Sequence, residues 1–158
     1  MLSRTDNMTQ SLQDWIVSKL SMAGYGGNYV MEDEYPADRQ SPLEKTILVF
    51  AHDDTDETVE AELGGPLSFT SRTFQLDVLG EDARWGRNIA AIVKDALESG
   101  EPIPLNDYSS GVAVEIDKIF RLIAIHTKLR FTNPQPWQLH WNVVTFTIED
   151  EHSRGYLA

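Results

Sequence analysis

Hydrophobic and polar positions along this chain follow two different periods, and the switches between them mark out its elements. Leu12, Trp15, Ile16, Leu20 and Ala23 recur at helical spacing. They predict a first helix over 9–23, capped by Thr9 or Ser11 and stopped by Gly24. Over 25–42 the period is lost and Gly, Pro and acids gather, which predicts an acidic loop. In "KTILVFAHDD" Ile47 and Val49 fall on one side of a strand, and Leu48 and Phe50 on the other, so both faces are expected to be covered. A short edge strand, its charges discouraging stray pairing, is expected around 59–63. Phe74, Leu76 and Val78 then alternate with polar residues. After Gly80 the stripe Trp85, Ile89, Ile92, Val93, Ala96 and Leu97 predicts a second helix, which Gly100 ends. "GEPIPLNDYSSG" reads as a loop, and two long strands follow over 112–131 and 137–150, joined by "TNPQP". This order predicts an α+β fold: a mainly antiparallel sheet, two helices packed on one face and a long C-terminal β-hairpin. A single domain over 1–158 is expected, with the acidic loop 25–42 and a projecting hairpin 112–150.

The hairpin carries the most specific expectation. With 132–136 as its loop, Phe131 faces Trp137, Leu129 faces Leu139, Thr127 faces Trp141 and Ile125 faces Val143. Nearer the base the apolar pairs are Ala124 with Val144, Leu122 with Phe146 and Phe120 with Ile148, on the opposite face. Both strands switch sides at one level, and a slip by one residue would break that agreement. The base then buries its even-numbered face on the helices. The tip presents Leu129, Phe131, Trp137, Leu139 and Trp141 on the other side, a patch larger than soluble monomers usually expose. Either a second layer of the same chain, such as the 25–42 loop, or an adjoining subunit covers it.

Charge narrows the partners. With 25 acids against 13 bases the net charge is −12, and no basic cluster is available to bind phosphates of a duplex. There are no cysteines, so disulfide and thiol chemistry are excluded. No apolar run approaches the ~20 residues that cross a bilayer, and no basic-then-apolar leader opens the chain, which is expected to stay where it is made.

Candidate chemistry is sparse. The strand–Gly80–helix corner has the outline of a phosphate site, but Glu81 and Asp82 already complement the helix dipole and would repel phosphate. Neither glycine-rich nucleotide motif is present. His52-Asp53-Asp54 has no second histidine nearby, and the acids of 53–57 lack the glycine and terminal Glu of a calcium loop. No serine sits in a nucleophile elbow. No catalytic residue, cofactor or metal is expected.

Three segments carry a resemblance: the amphipathic helix "SLQDWIVSKL", the strand–corner–helix "RTFQLDVLGEDARWGRNIAAIVKDAL" and the closing strand "WQLHWNVVTFTIED". Together they resemble the tail terminator (tail completion) proteins of long-tailed bacteriophages. The resemblance implies a non-enzymatic virion protein that closes into a hexameric ring, caps the tail-tube protein and offers a surface to the head-completion or connector protein. It implies a place in the tail or neck of the virion, reached from the host cytoplasm, with DNA passing through unbound and no membrane contact. On that reading Asp53, Asp54, Asp56 and Glu57 face the lumen or a neighbour. The competing classes are a head-completion protein or tail-tube subunit, and an acidic module that binds a basic protein. An enzyme is the least supported.

Overall fold

The computed structural model describes residues 3–27, 29–32, 45–52, 57–61, 67–80, 82–119, 122–129 and 140–153. Their order is α1 (Arg4–Met22), β1 (Val30–Glu32), β2 (Thr46–Ala51), β3 (Glu57–Ala61), β4 (Leu67–Gly80), α2 (Ala83–Glu98), β5 (Ile103–Asp107), β6 (Val114–Ile119), β7 (Leu122–Leu129) and β8 (His140–Ser153). The chain is an α+β protein.

The main sheet runs β1-β2-β4-β8-β7, with β3 also paired to β4. Among the described strands only β1 and β2 run parallel. β2 and β3 lie in turn along one edge of β4, opposite 74–79 and 68–71, while β8 pairs with the whole other edge, from Leu67↔Ser153 to Gly80↔His140. Alternation sorts this sheet into two faces. Ile47, Val49, Phe74, Leu76, Val78, Val144, Phe146 and Ile148 are buried in one core with Leu12, Trp15, Ile16 and Leu20 of α1 and Trp85, Ile89, Val93 and Leu97 of α2. On the other face Leu48 and Leu79 are buried, with Phe50 and Trp141 packed against them. β2 is therefore apolar on both faces, as its pattern predicts.

The helices end as local chemistry dictates. Gly24 takes φ of 86°, its N–H bonds the Ser21 carbonyl at 3.1 Å, and Tyr25 N–H reaches the Leu20 carbonyl at 2.8 Å. That is the paired closure a left-handed glycine permits. At Gly86 an added Cβ would fall 2.7 Å from Asn142 Nδ2, so the bare backbone lets α2 seat on β8.

Five expectations are corrected. α1 begins at Arg4, with Ser3 Oγ accepting from Asp6 N–H at 3.0 Å; its first turn buries the polar Arg4 and Asn7, and the apolar period begins only at Met8. β4 starts at Leu67, well before Phe74. The loop expected over 100–111 contains β5, whose Ile103 and Leu105 point into the core while Pro104 lies between them on an edge. The strand expected over 112–131 is two strands: β6 pairs with β5 in a separate two-stranded sheet, and β7 pairs with β8. Finally, the hairpin register is displaced by three residues, with Ile125 opposite Phe146, Thr127 opposite Val144 and Leu129 opposite Asn142. Val114 and Ile116 of β6 are exposed.

Candidate subunit interface

The expected tip residues are only partly in view. Phe131, Trp137 and Leu139 lie outside the described residues. Leu129 ends β7 opposite Asn142, so the register does not align it with Leu139. Trp141 stands opposite Leu79 and is half-buried against Leu79 and Leu48. Of the acidic run, Asp53, Asp54 and Asp56 lie outside the described residues, and Glu57 opens β3 opposite Ser71.

The structure draws attention to a surface that the sequence pattern missed. Val112, Val114 and Ile116 are 68%, 53% and 41% exposed, three of the five large hydrophobics exposed among the described residues. They sit on and just before β6, which pairs only with β5 among the described strands. The sheet is built from α1 outward. Asn106 N–H donates to Ser11 Oγ at 2.9 Å, and Tyr108 N–H to Asn7 Oδ1 at 3.2 Å. Tyr108 Oη donates to Asp14 at 2.5 Å. These bonds close the side of β5 that faces α1. On β6 the inward Asp117 meets the buried Arg4 guanidinium at 3.2 Å.

The turn between the two strands is equally specified. Asp107 Oδ1 accepts from Ser109 N–H at 3.0 Å and from Ser109 Oγ at 2.6 Å. The Ser109 hydroxyl, then its amide and the Asn7 side chain, hold the Asp107 carboxyl below the usual carboxylate range. Gly111 follows with φ of 81°, which only glycine adopts readily. β6 is thus fastened on its inner side, with an apolar row left facing out. Its signal in the sequence was the alternation Val112, Val114, Ile116, which reads as a core face when the strand is assumed to join the main sheet.

At the start of α2 the corner is closed by its own acid. Asp82 Oδ1 accepts from Arg84 N–H at 3.0 Å and Trp85 N–H at 3.1 Å. The Trp85 amide, aided by the Arg84 amide and the charges of Lys45 and Arg84, lowers the Asp82 carboxyl below its ordinary value. A depressed folded value means that the cap stabilises above the unfolded aspartate range and loses that effect as pH falls through the folded value. Asp82→Asn keeps the capping geometry without the charge. Its acid unfolding curve is expected to lose the part of the pH dependence that falls below the ordinary aspartate range. An unchanged curve would show that Asp82 does not contribute. His52, the other chemical candidate, has its Nε2 2.9 Å from Gln75 Oε1 and its ring stacked on Phe50.

No family model matches this chain, and no curated protein sequence matches it. Among solved structures it is similar to a chain described as "Virion of native gene transfer agent (GTA) particle", with 11% identity, 91% of this chain and 92% of that chain covered and a TM-score of 0.46. A second, whose description names no function, is 14% identical over 97% of this chain and 94% of that one, with a TM-score of 0.38. Likenesses at these scores carry no argument for function.

Proposed function

We propose that this chain is a non-enzymatic structural subunit of a phage-type virion, a ring-forming tail terminator that caps the tail tube and offers the head-joining surface. The observation that carries the assembly reading is the exposed row Val112, Val114 and Ile116 on and just before β6, a strand that pairs only with β5 among the described strands. A strand with an exposed apolar row and an unpaired edge is a template for another chain. Strand addition there supplies backbone hydrogen bonds together with alternate side-chain contacts. Fully burying a Val or Ile contributes about 1.5–3 kcal/mol, so three partly exposed ones give a few kcal/mol per contact. That gain is modest for one interface, and a closed ring repeats it at every subunit. The sequence resemblance to tail terminators supplies the role within the particle, and the net charge of −12 suits a passage that DNA crosses without adhering.

The test is the pair Val114→Asp with Ile116→Asp. Both positions are exposed, so the variant is expected to fold with an unchanged circular dichroism spectrum and unfolding midpoint. Assembly, read by light scattering and negative-stain imaging, is expected to weaken at least about tenfold, equivalent to ~1.4 kcal/mol. Rings formed as readily as in wild type would refute the use of this edge. In particles lacking the protein, overlong or ragged tails support the terminator role, whereas absent tails point to a tube subunit.

A further inference from the structure

A cavity of about 310 Å³ opens beside the start of α2, lined by Tyr25, Lys45, Asp82, Arg84, Trp85 and Asn88. Both helix ends that meet there are closed from within, α1 by the Gly24 and Tyr25 amides and α2 by the Asp82 carboxylate. No helix terminus is therefore on offer, and side chains decide what fits. Lys45 Nζ lies 5.2 Å from the centre of the Trp85 ring. Asn88 Nδ2 donates to Tyr25 Oη at 2.9 Å, which leaves the tyrosine proton to donate onward.

The cavity is thus rich in donors and walled by two aromatic rings. Among the described residues its charged lining is Lys45 and Arg84 against Asp82, a surplus of one positive charge in a chain of net charge −12. One surplus charge matches one carboxylate, and a phosphate dianion would exceed it. Subunits of such strong negative charge repel one another, so self-association requires places where opposite charges meet. The same chain holds four acids within the five positions 53–57.

We infer that this cavity receives an aspartate or glutamate side chain from a second copy of this chain, presented by the run Asp53, Asp54, Asp56 and Glu57. The assignment rests on the assembly reading above and gives it a second contact, of charge where β6 offers apolar surface. Trp85 and Tyr25 exclude water from one side of the ion pair, which strengthens it relative to a pair in open solvent.

The full-length chain with Lys45→Glu and Arg84→Glu tests it, because neither side chain is buried and the fold is expected to persist. The probe is a synthetic peptide of residues 51–60, followed by the Trp85 indole resonance in NMR. Wild type is expected to bind it with affinity that falls as salt is raised. Binding is expected to weaken at least about tenfold in the double variant, and equally for a peptide with Asn and Gln in place of its acids. Equal binding by wild type and double variant overturns the pocket, whatever the state of assembly. So does inorganic phosphate shifting the Trp85 resonance at lower concentration than the peptide. In the assembly arm, the double variant is expected to join rings poorly and to recover when mixed with a chain carrying Asp53→Lys and Asp54→Lys. Rings that form normally in the double variant overturn the pocket and leave the β6 reading standing. Charge-dependent peptide binding in a wild type that forms no rings counts against the assembly reading instead.

Discussion

Phe146→Ala is expected to lower the stability of the subunit by about 3–5 kcal/mol. Phe146 is 1% exposed on β8 and lies against Phe74 of β4, with ring centroids 5.9 Å apart and planes 22° from parallel. The two rings face each other across the register of the longest strand pair, with the helices above them. β8 lies between β4 and β7, so each side of this residue is walled by a neighbouring strand. Such a site cannot collapse easily, and the cavity left by a removed ring remains largely open. A domain is commonly stable by only about 5–15 kcal/mol, so the loss is roughly a fifth or more of the total. At ~2–4 °C per kcal/mol for a chain of this size, the unfolding midpoint falls by roughly 6–20 °C. Urea titration should show a lower midpoint with an unchanged slope, because the surface exposed on unfolding is nearly the same. Phe146→Leu, which keeps most of the volume, is expected to cost less than about 1.5 kcal/mol. A cost below that for the alanine variant would show that the β4–β8 ladder is not the mechanical centre of the fold.

The same residues show why much of the core was legible. Phe74, Leu76 and Val78 on β4 and Val144, Phe146 and Ile148 on β8 keep strict alternation. The stripe from Trp85 to Leu97 keeps helical spacing, and both patterns answer to burial alone. What escaped detection is where polar side chains do the packing. Arg4, Asn7 and Ser11 are buried on α1 because β5 and β6 supply their partners, so before Met8 the helix start carries no apolar mark. β5 was hidden because Pro104, Asn106 and Asp107 are turn formers by composition, although Asp107 does begin the turn.

The hairpin failed for a different reason. Two apolar strands of similar length satisfy more than one register, and the one-residue slip considered was not the relevant competitor. The observed three-residue displacement sets Ile125 opposite Phe146 but otherwise pairs mostly polar with apolar residues. The pairing of β8 with β4 along its whole length, not cross-strand apolar matching with β7, goes with this register. The apolar alternation from Val114 is broken at Lys118 and resumes at Phe120 and Leu122, a break that lies near the point where the strand leaves one sheet for another. The exposed row on β6 follows from that departure. A face that would have been core in the main sheet becomes surface once Asp117 turns inward to Arg4.

That ion pair makes the second large effect predictable. Arg4 is 1% exposed in the first turn of α1, where a cation opposes the helix dipole, and its Nη2 lies 3.2 Å from Asp117 Oδ2. Asp117→Ala removes one partner of a buried guanidinium, and hydrogen bonds to charged groups contribute about 1.5–3 kcal/mol. The Asp117 side chain is 36% exposed, so water screens part of this interaction, and a loss of roughly 1–2 kcal/mol is expected. Arg4→Met with Asp117→Leu removes both charges and should be less destabilising than Asp117→Ala alone, since no buried cation is left without its acid. A double-mutant cycle that includes the single Arg4→Met chain is expected to give a coupling of about 1 kcal/mol. The cycle also separates stability from assembly. If Arg4 holds β6 in the position that presents Val114 and Ile116, Asp117→Ala weakens ring formation beyond its effect on unfolding. The Met–Leu pair, which restores contact without charge, recovers part of it. Additive stability losses together with unchanged assembly would mean that β6 keeps its place without Arg4, through the Asp107 turn and β5 alone.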